Sequence, residues 1–248
     1  MIKIKTDQEI ALMKKGGRLL AQILYQVADK VKPGISTLAL DELAHQLIVA
    51  KGCQPSFLGH EDFPNSLCVS INEEIVHGIP RKEKKVKKGD IVSLDLGLKY
   101  KGLHTDMALT VPVGKIPKET KHLLKVTETA LAKAIAILKP GVRVGDLGHV
   151  MQTYIEDQGL SVVRKLVGHG VGHEVHEEPR VPNYGQPDSG IELKSGMTIA
   201  IEPMVQMGRP EVMIKDDGWT YQSADGKLTA HFEKSVAITK SGHLVLTE

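Results

Sequence analysis

Apolar positions recur at helical spacing in four places along this chain and give way to strand-like runs elsewhere. Leu12, Met13, Gly16, Leu19, Leu20, Ile23, Leu24 and Val27 share one face of a 3.6-residue repeat. Thr6, with Glu9 three residues on, forms a capping box that predicts where this helix starts. Pro33-Gly34 breaks the pattern, and Leu40, Leu43, Ala44, Leu47 and Ile48 then mark a second helix that stops at Gly52. Segments 66–71, 90–96 and 103–111 read as strands. The plan is then repeated. A helix is predicted after Pro117 through Leu138, another from about Gly145 to Asp157, and strand-like segments follow between Gly- and Pro-rich turns. Helices ahead of strands in each half predict an α+β fold, with a largely antiparallel sheet and helices on one face.

The repetition holds in register. Gly89-Asp90-Ile91-Val92-Ser93-Leu94-Asp95 aligns with Gly196-Met197-Thr198-Ile199-Ala200-Ile201-Glu202, 107 residues later. Lys32-Pro33-Gly34-Ile35 aligns with Lys139-Pro140-Gly141-Val142, and Gly52 with Gly159, at that same offset. The chain therefore reads as one catalytic-sized domain of two related halves, about 1–113 and 114–248. Each half contains a strand with a carboxylate on it, so acids from both halves would meet at the interface.

Composition narrows the class. The net charge is +2 over 248 residues, too small to imply a nucleic-acid or membrane field overall. Hydrophobic residues make up 41%, an ordinary share for a globular protein. Cys53 and Cys68 are the only cysteines and form no Cys-x-x-Cys pair, which favours a reducing compartment. The first residues lack the apolar core of a secretory signal. A cytoplasmic protein is expected.

The candidate chemistry begins with acids in apolar surroundings. Asp95 and Asp106 flank Lys99-Tyr100-Lys101-Gly102. A hairpin centred on Tyr100 and Lys101 would set the two carboxylates directly opposite, with Cβ atoms roughly 4.5–5.5 Å apart. Two ionised carboxylates there repel unless a cation lies between them or one is protonated. A surface hairpin with two solvated acids is the competing reading, since most aspartates are exposed. Glu202 within Ile199-Ala200-Ile201-Glu202-Pro203-Met204, and Glu233 after His231-Phe232, add two more acids on apolar strands. Buried charges need partners, and a shared divalent centre would satisfy all four.

His169-Gly170-Val171-Gly172-His173-Glu174-Val175-His176 is a dense histidine cluster. One reading puts His169, His173 and His176 on a helical face as a mononuclear zinc site. Gly170 and Gly172 disfavour helix by about 1 kcal/mol each relative to Ala. An irregular extended segment fits better, with His173 turned away or in the loop. His77, before Gly78, is open to a structural or a functional role on spacing alone. Carboxylate oxygens with one or two imidazoles suit Mn, Fe, Co or Zn better than a thiolate site would.

In their order and contexts, Asp95, Asp106, His169, Glu202 and Glu233 resemble the dinuclear centre of the methionine aminopeptidase family. Asn72-x4-His77-Gly78-Ile79-Pro80, His169-Gly170-Val171-Gly172-x3-His176-Glu177-Glu178-Pro179 and Ile201-Glu202-Pro203-Met204 strengthen the match, which spans essentially the whole chain. The resemblance implies the pita-bread fold with pseudo-twofold halves. Only 30 residues separate Glu202 from Glu233, and no zinc-binding or basic extension precedes the core, so the chain resembles the short bacterial type I form. By this resemblance, Asp95 would bind one of two divalent ions, His169 and Glu202 the other, and Asp106 and Glu233 would bridge them. A metal-bridged hydroxide would attack the first peptide carbonyl, with Glu202 carrying its proton to the leaving amine. His176 would hydrogen-bond the developing oxyanion and His77 the scissile nitrogen. The free α-amine of the substrate would bind a metal, restricting action to the N-terminal residue.

The family's methionine pocket maps onto Phe57, Phe63, Cys68, Val175 and Trp219. This chain departs from the family there. Phe57 stands where many type I members carry a smaller residue, Val175 where an aromatic is common, and His60 and Glu61 replace an aromatic and a histidine. We expect Phe57 to fill volume vacated at Val175.

The implied function is removal of the N-terminal methionine from nascent chains when the second residue is small. An Xaa-Pro aminopeptidase-like peptidase and a catalytically silent nascent-chain binder are the alternatives. The run Arg81-Lys82-Glu83-Lys84-Lys85-Val86-Lys87-Lys88 is a candidate for transient ribosome contact. The chain carries no oligomer signal, and a monomer is expected.

Overall fold

The computed structural model describes residues 2–248. The first half builds α1 (Asp7–Ala28), α2 (Thr37–Ala50), β1 (Gln54–Pro55), β2 (Leu67–Ile71), β3 (Glu74–Val76), β4 (Ile91–Tyr100) and β5 (Leu103–Pro112). The second begins with α3 (Lys118–Ala136), α4 (Val144–Asp157), β6 (Ser161–Val162), β7 (Gly168–Gly170) and β8 (Glu177–Val181). It continues through β9 (Thr198–Ile201), β10 (Met204–Gln206), β11 (Val212–Ile214), β12 (Tyr221–Ser223), β13 (Thr229–His231), β14 (Lys234–Thr239) and β15 (Gly242–Val245). The strand pairings are antiparallel, as the α+β reading expects.

Thr6 caps α1 with the predicted box: its side chain accepts from the Glu9 N–H and the Glu9 carboxylate accepts from Thr6 N. The helix buries Met13, Leu20, Ile23, Leu24 and Val27. With Leu40, Ala44 and Ile48 of α2, most of this face covers Leu67, Val69, Val92, Leu94, Leu96 and Leu98 of β2 and β4. In the second half α3 and α4 bury Leu123, Val126, Leu147, Met151 and Ile155 against Ile199, Ile201, Val236 and Ile238. Each half thus has its own apolar core, and Phe232 packs against both.

The 107-residue offset recurs in the backbone. α2 and α4 share it at both ends, and β4 and β9 at their starts. The isolated bridge Ser36–Lys85 has its counterpart in Arg143–Glu192. Gly34 and Gly141 adopt φ of 92° and 94° at matching turns, a conformation that favours glycine.

The halves depart from each other where the strands return. β4 and β5 are joined by a two-residue turn, with Tyr100 paired to Leu103. Lys101 and Gly102 both have positive φ, 51° and 88°, as a type I′ turn requires. This corrects the expected register. Asp95 faces Ala108 and Asp106 faces Gly97, so the two acids are diagonal rather than opposite. The slip is two residues, so both side chains keep the same face of the sheet, and the diagonal remains within side-chain reach.

In the second half the ribbon is interrupted. β9 pairs with β14 and β10 with β13, but Glu202-Pro203 and Phe232-Glu233 fall between them. Pro203 has no N–H to donate. Glu233 N instead donates across the seam to Ala108 O at 2.9 Å. Thr110 Oγ1 donates to His231 O and accepts from His231 N, and Ser235 Oγ donates to Asp106 O while accepting from Asp106 N. Between β10 and β13 the chain inserts the β11–β12 hairpin, which β12 joins to β3.

Candidate metal centre and its cleft

The seam gathers the acids. Asp95 and Asp106 arrive on β4 and β5, Glu202 after β9, Glu233 before β14, and His169 on β7. All four acids are buried, with Asp106 and Glu233 only 3% and 2% exposed. His169 Nδ1 lies 2.9 Å from Gly170 O. Donation to that carbonyl leaves Nε2 as a lone pair, 3.6 Å from Glu202 Oε1 and 4.0 Å from Asp106 Oδ2. A hydrogen bond of this kind on the far ring nitrogen orients a metal-binding histidine.

Burial and mutual repulsion govern the protonation of this cluster. Burial, then the charge of Glu202, pushes Asp106 up to about 7. Burial pushes Glu202 up to about 8. Asp95 and Glu233 are raised well above the ordinary carboxylate range, by burial first and by their acidic neighbours second. His169 is lowered to about 3, chiefly by burial, so its imidazole is neutral at pH 7.

These residues fit divalent ions. Asp95 Oδ1 and Glu233 Oε1 are buried with no hydrogen-bond partner, an arrangement that costs free energy unless something else binds them. Donor atoms of Asp106, His169 and Glu233 lie within 4.8 Å of one another, as do those of Glu202, His231 and Glu233. Oxygen donors with imidazole match the metals expected from the sequence.

The cleft above the centre has an apolar wall and a histidine wall. Phe57, Phe63, Cys68 and Val175 form one buried cluster with Ile79 and Trp219 packed on it, so the five residues assigned to the pocket lie together. Trp219 meets Phe63 edge-on, with ring centroids 5.1 Å apart. The β11–β12 insert supplies this tryptophan, in a turn where Asp217 accepts from the N–H groups of Trp219 and Thr220. The start of β2, which carries Cys68, is fixed by buried Asp41, whose carboxylate accepts from Ser66 N and Leu67 N.

On the other wall His176 stands perpendicular to His169, with centroids 4.4 Å apart. His60 Nε2 lies 3.2 Å from His176 Nδ1. His77, at φ 57°, packs edge-on against Tyr221. Burial lowers His77 to about 4 and also lowers His176. Glu61 lines the same cleft.

His173 lies apart from this site. Its Nε2 is 2.7 Å from Glu9 Oε1, and Lys5 makes a buried ion pair with Glu177 beside His176. The N-terminal segment therefore fastens the histidine-bearing loop. Lys84 is likewise structural, paired with buried Glu74, whereas Lys85, Lys87 and Lys88 are exposed.

Sequence reasoning did not single out His231, which is 1% exposed and holds Nε2 3.3 Å from Glu202 Oε2. The available signal was its place two residues before Glu233 in a strand-like run, a spacing that in extended chain points both side chains to one side.

The fold and this site define a metallopeptidase, and comparison with known proteins agrees. Residues 11–240 match the model of Metallopeptidase family M24, and the chain belongs to that family. It is 47% identical to methionine aminopeptidase 1 of Bacillus subtilis, over 100% of this chain and 99% of that one. It is 46% identical to methionine aminopeptidase of Clostridium perfringens, with the same coverage. The crystal structure of methionine aminopeptidase from Thermotoga maritima superposes with a TM-score of 0.98, at 46% identity and full coverage of both chains. A prolidase from Pyrococcus horikoshii shares the fold, with a TM-score of 0.79 at 24% identity, over 99% of this chain and 63% of that one. Among the described residues no helix is long and apolar enough to cross a membrane.

Proposed function

We propose that this chain removes the N-terminal methionine from newly made proteins whose second residue is small, and that it does so in the cytoplasm as a monomer. The observation that carries this reading is the buried five-residue centre lying directly beneath an apolar pocket. The names of its full-length relatives point the same way. Similarity to prolidases lies at the level of fold, so an Xaa-Pro activity gains no separate support.

Asp95, Asp106, His169, Glu202 and Glu233 would hold two divalent ions, Co, Mn, Fe or Zn. Bound there, such ions polarise the scissile carbonyl and ionise water near neutral pH. The methionine side chain lies against Phe57, Phe63, Cys68, Val175 and Trp219, its thioether adapting to the slot. Glu202 takes the proton of the attacking water on a carboxylate oxygen and delivers it to the leaving nitrogen. His176 donates a hydrogen bond to the carbonyl oxygen as negative charge develops there, an interaction worth a few kcal/mol in similar sites. His77 contacts the scissile nitrogen.

The test is methionine release from Met-Ala-Ser by metal-stripped protein resupplied with Mn, Fe, Co or Zn. Release that requires metal, together with no release from Met-Leu-Ser, is expected. Tight metal binding with no release from Met-Ala-Ser would overturn the reading.

A transient ribosome contact through the exposed lysines is proposed alongside. Replacing Lys85, Lys87 and Lys88 by Gln should weaken co-sedimentation with ribosomes and reduce its salt dependence. Lys84 is spared because it holds Glu74. Unchanged co-sedimentation would remove the contact.

A further inference from the structure

We propose that His231 is a sixth protein ligand of the metal centre, binding one ion together with Glu202 and Glu233. The inference rests on reading this cluster as a metal site, and it concerns a residue outside the ligand set implied by family resemblance.

Three observations carry it. The first is position. His231 Nε2 is 3.3 Å from Glu202 Oε2 and 3.9 Å from Glu233 Oε2. Donors about 2.0–2.2 Å from a shared ion stand roughly this far from each other. The second is an unmet need. Both ring nitrogens of His231 are buried with no hydrogen-bond partner, as are Asp95 Oδ1 and Glu233 Oε1. A cation bound at His231 Nε2 and the carboxylates would satisfy that nitrogen and the acid oxygens together.

The third is the internal repeat. Asp95 and Glu202 are counterparts 107 residues apart. Asp106 faces Gly97 across β4 and β5, and His231 faces Met204, the counterpart of Gly97, across β10 and β13. His231 therefore occupies in the second half the place that Asp106 holds in the first. Each half presents two donors at equivalent sites: Asp95 and Asp106 from one, Glu202 and His231 from the other.

A second imidazole changes the character of the centre. Nitrogen donors favour Zn, Co and Fe, whereas an all-oxygen environment suits Mn. His231 should bias the centre toward the former group.

Zinc-edge X-ray absorption on the zinc-loaded full chain tests this without a variant. About twice the imidazole scattering of a His169-only site is expected. His231→Gln keeps much of the volume and removes the imidazole. It should weaken one class of Zn and Co sites about 10–100-fold in calorimetric titration, weaken Mn less, and change the visible spectrum of the cobalt-loaded protein. Scattering at the level of His169 alone would overturn the proposal. So would equal weakening of Zn, Co and Mn with an unchanged cobalt spectrum, which would make His231 a hydrogen-bond partner of Glu202. Wild-type protein that binds none of these metals would overturn the metallopeptidase reading itself, whereas metal bound without His231 overturns only this assignment.

Discussion

Phe57 has its seat because residue 97 has no side chain. A Cβ on Gly97 would lie 2.7 Å from Phe57 Cε1 and 2.7 Å from Ser56 Cβ, well inside contact distance. Gly97 is also the residue facing Asp106, so the ring is braced on the strand that carries Asp95. Val175 belongs to the same apolar cluster. Phe57→Cys should therefore leave a cavity in the pocket wall, and Val175→Phe should overfill it. Each single change should raise KM for Met-Ala-Ser about tenfold, or about 1.4 kcal/mol. The double variant should return close to wild type, a coupling of about 1 kcal/mol or more. Steady-state kinetics on the four proteins measure it, and additive effects would dismiss the exchange of volume. At this scale the candidate acids could be picked out because each stands in an apolar strand-like string, whereas the pocket residues followed only from the family resemblance. His231 was not legible, because its significance comes from Glu202, which lies in the break after β9. The His60–His176 contact joins two loops 116 residues apart, and no local pattern announces it.

Elements were more legible than the registers between them. The capping box, the four helical stripes and the offset between halves follow from periodicity and from glycines at turns, which are local properties. The β4–β5 register depends on which two residues take positive φ. Centring the turn on Tyr100 and Lys101 would have put an aromatic in that strained region, whereas Lys101-Gly102 puts glycine in one of its two places. Because side chains alternate with period two, the two-residue difference left both acids on the face that matters. A one-residue difference would have sent them to opposite faces. The break at Glu202-Pro203 follows from proline chemistry. Glu233 is free of the ribbon there and bonds to the other half through its N–H. The β11–β12 insert has no counterpart in the first half, so the repeat could not anticipate how Trp219 reaches the pocket.

For the whole molecule, the centre lies at the junction of two halves whose largest cores are separate. Without metal, that junction concentrates four buried acids. Their folded-state values are raised, to about 7 for Asp106 and about 8 for Glu202, while unfolded carboxyls titrate near 4. Between about pH 4 and 8 the unfolded chain therefore releases protons that the folded protein retains, and folding stability must fall as pH rises through that window. Metal ions oppose this loss. They take the place of the protons, bind more tightly as the acids ionise, and stabilise only the folded form. Thermal melts in chelator should thus lose on the order of 5–15 °C from pH 5 to pH 8, given about 2–4 °C per kcal/mol for a chain of this size. Melts in excess zinc should lose much less, so the gap between the two curves should widen with pH. Parallel curves would mean that the acids are already compensated without metal, and that the two halves are held together by packing alone.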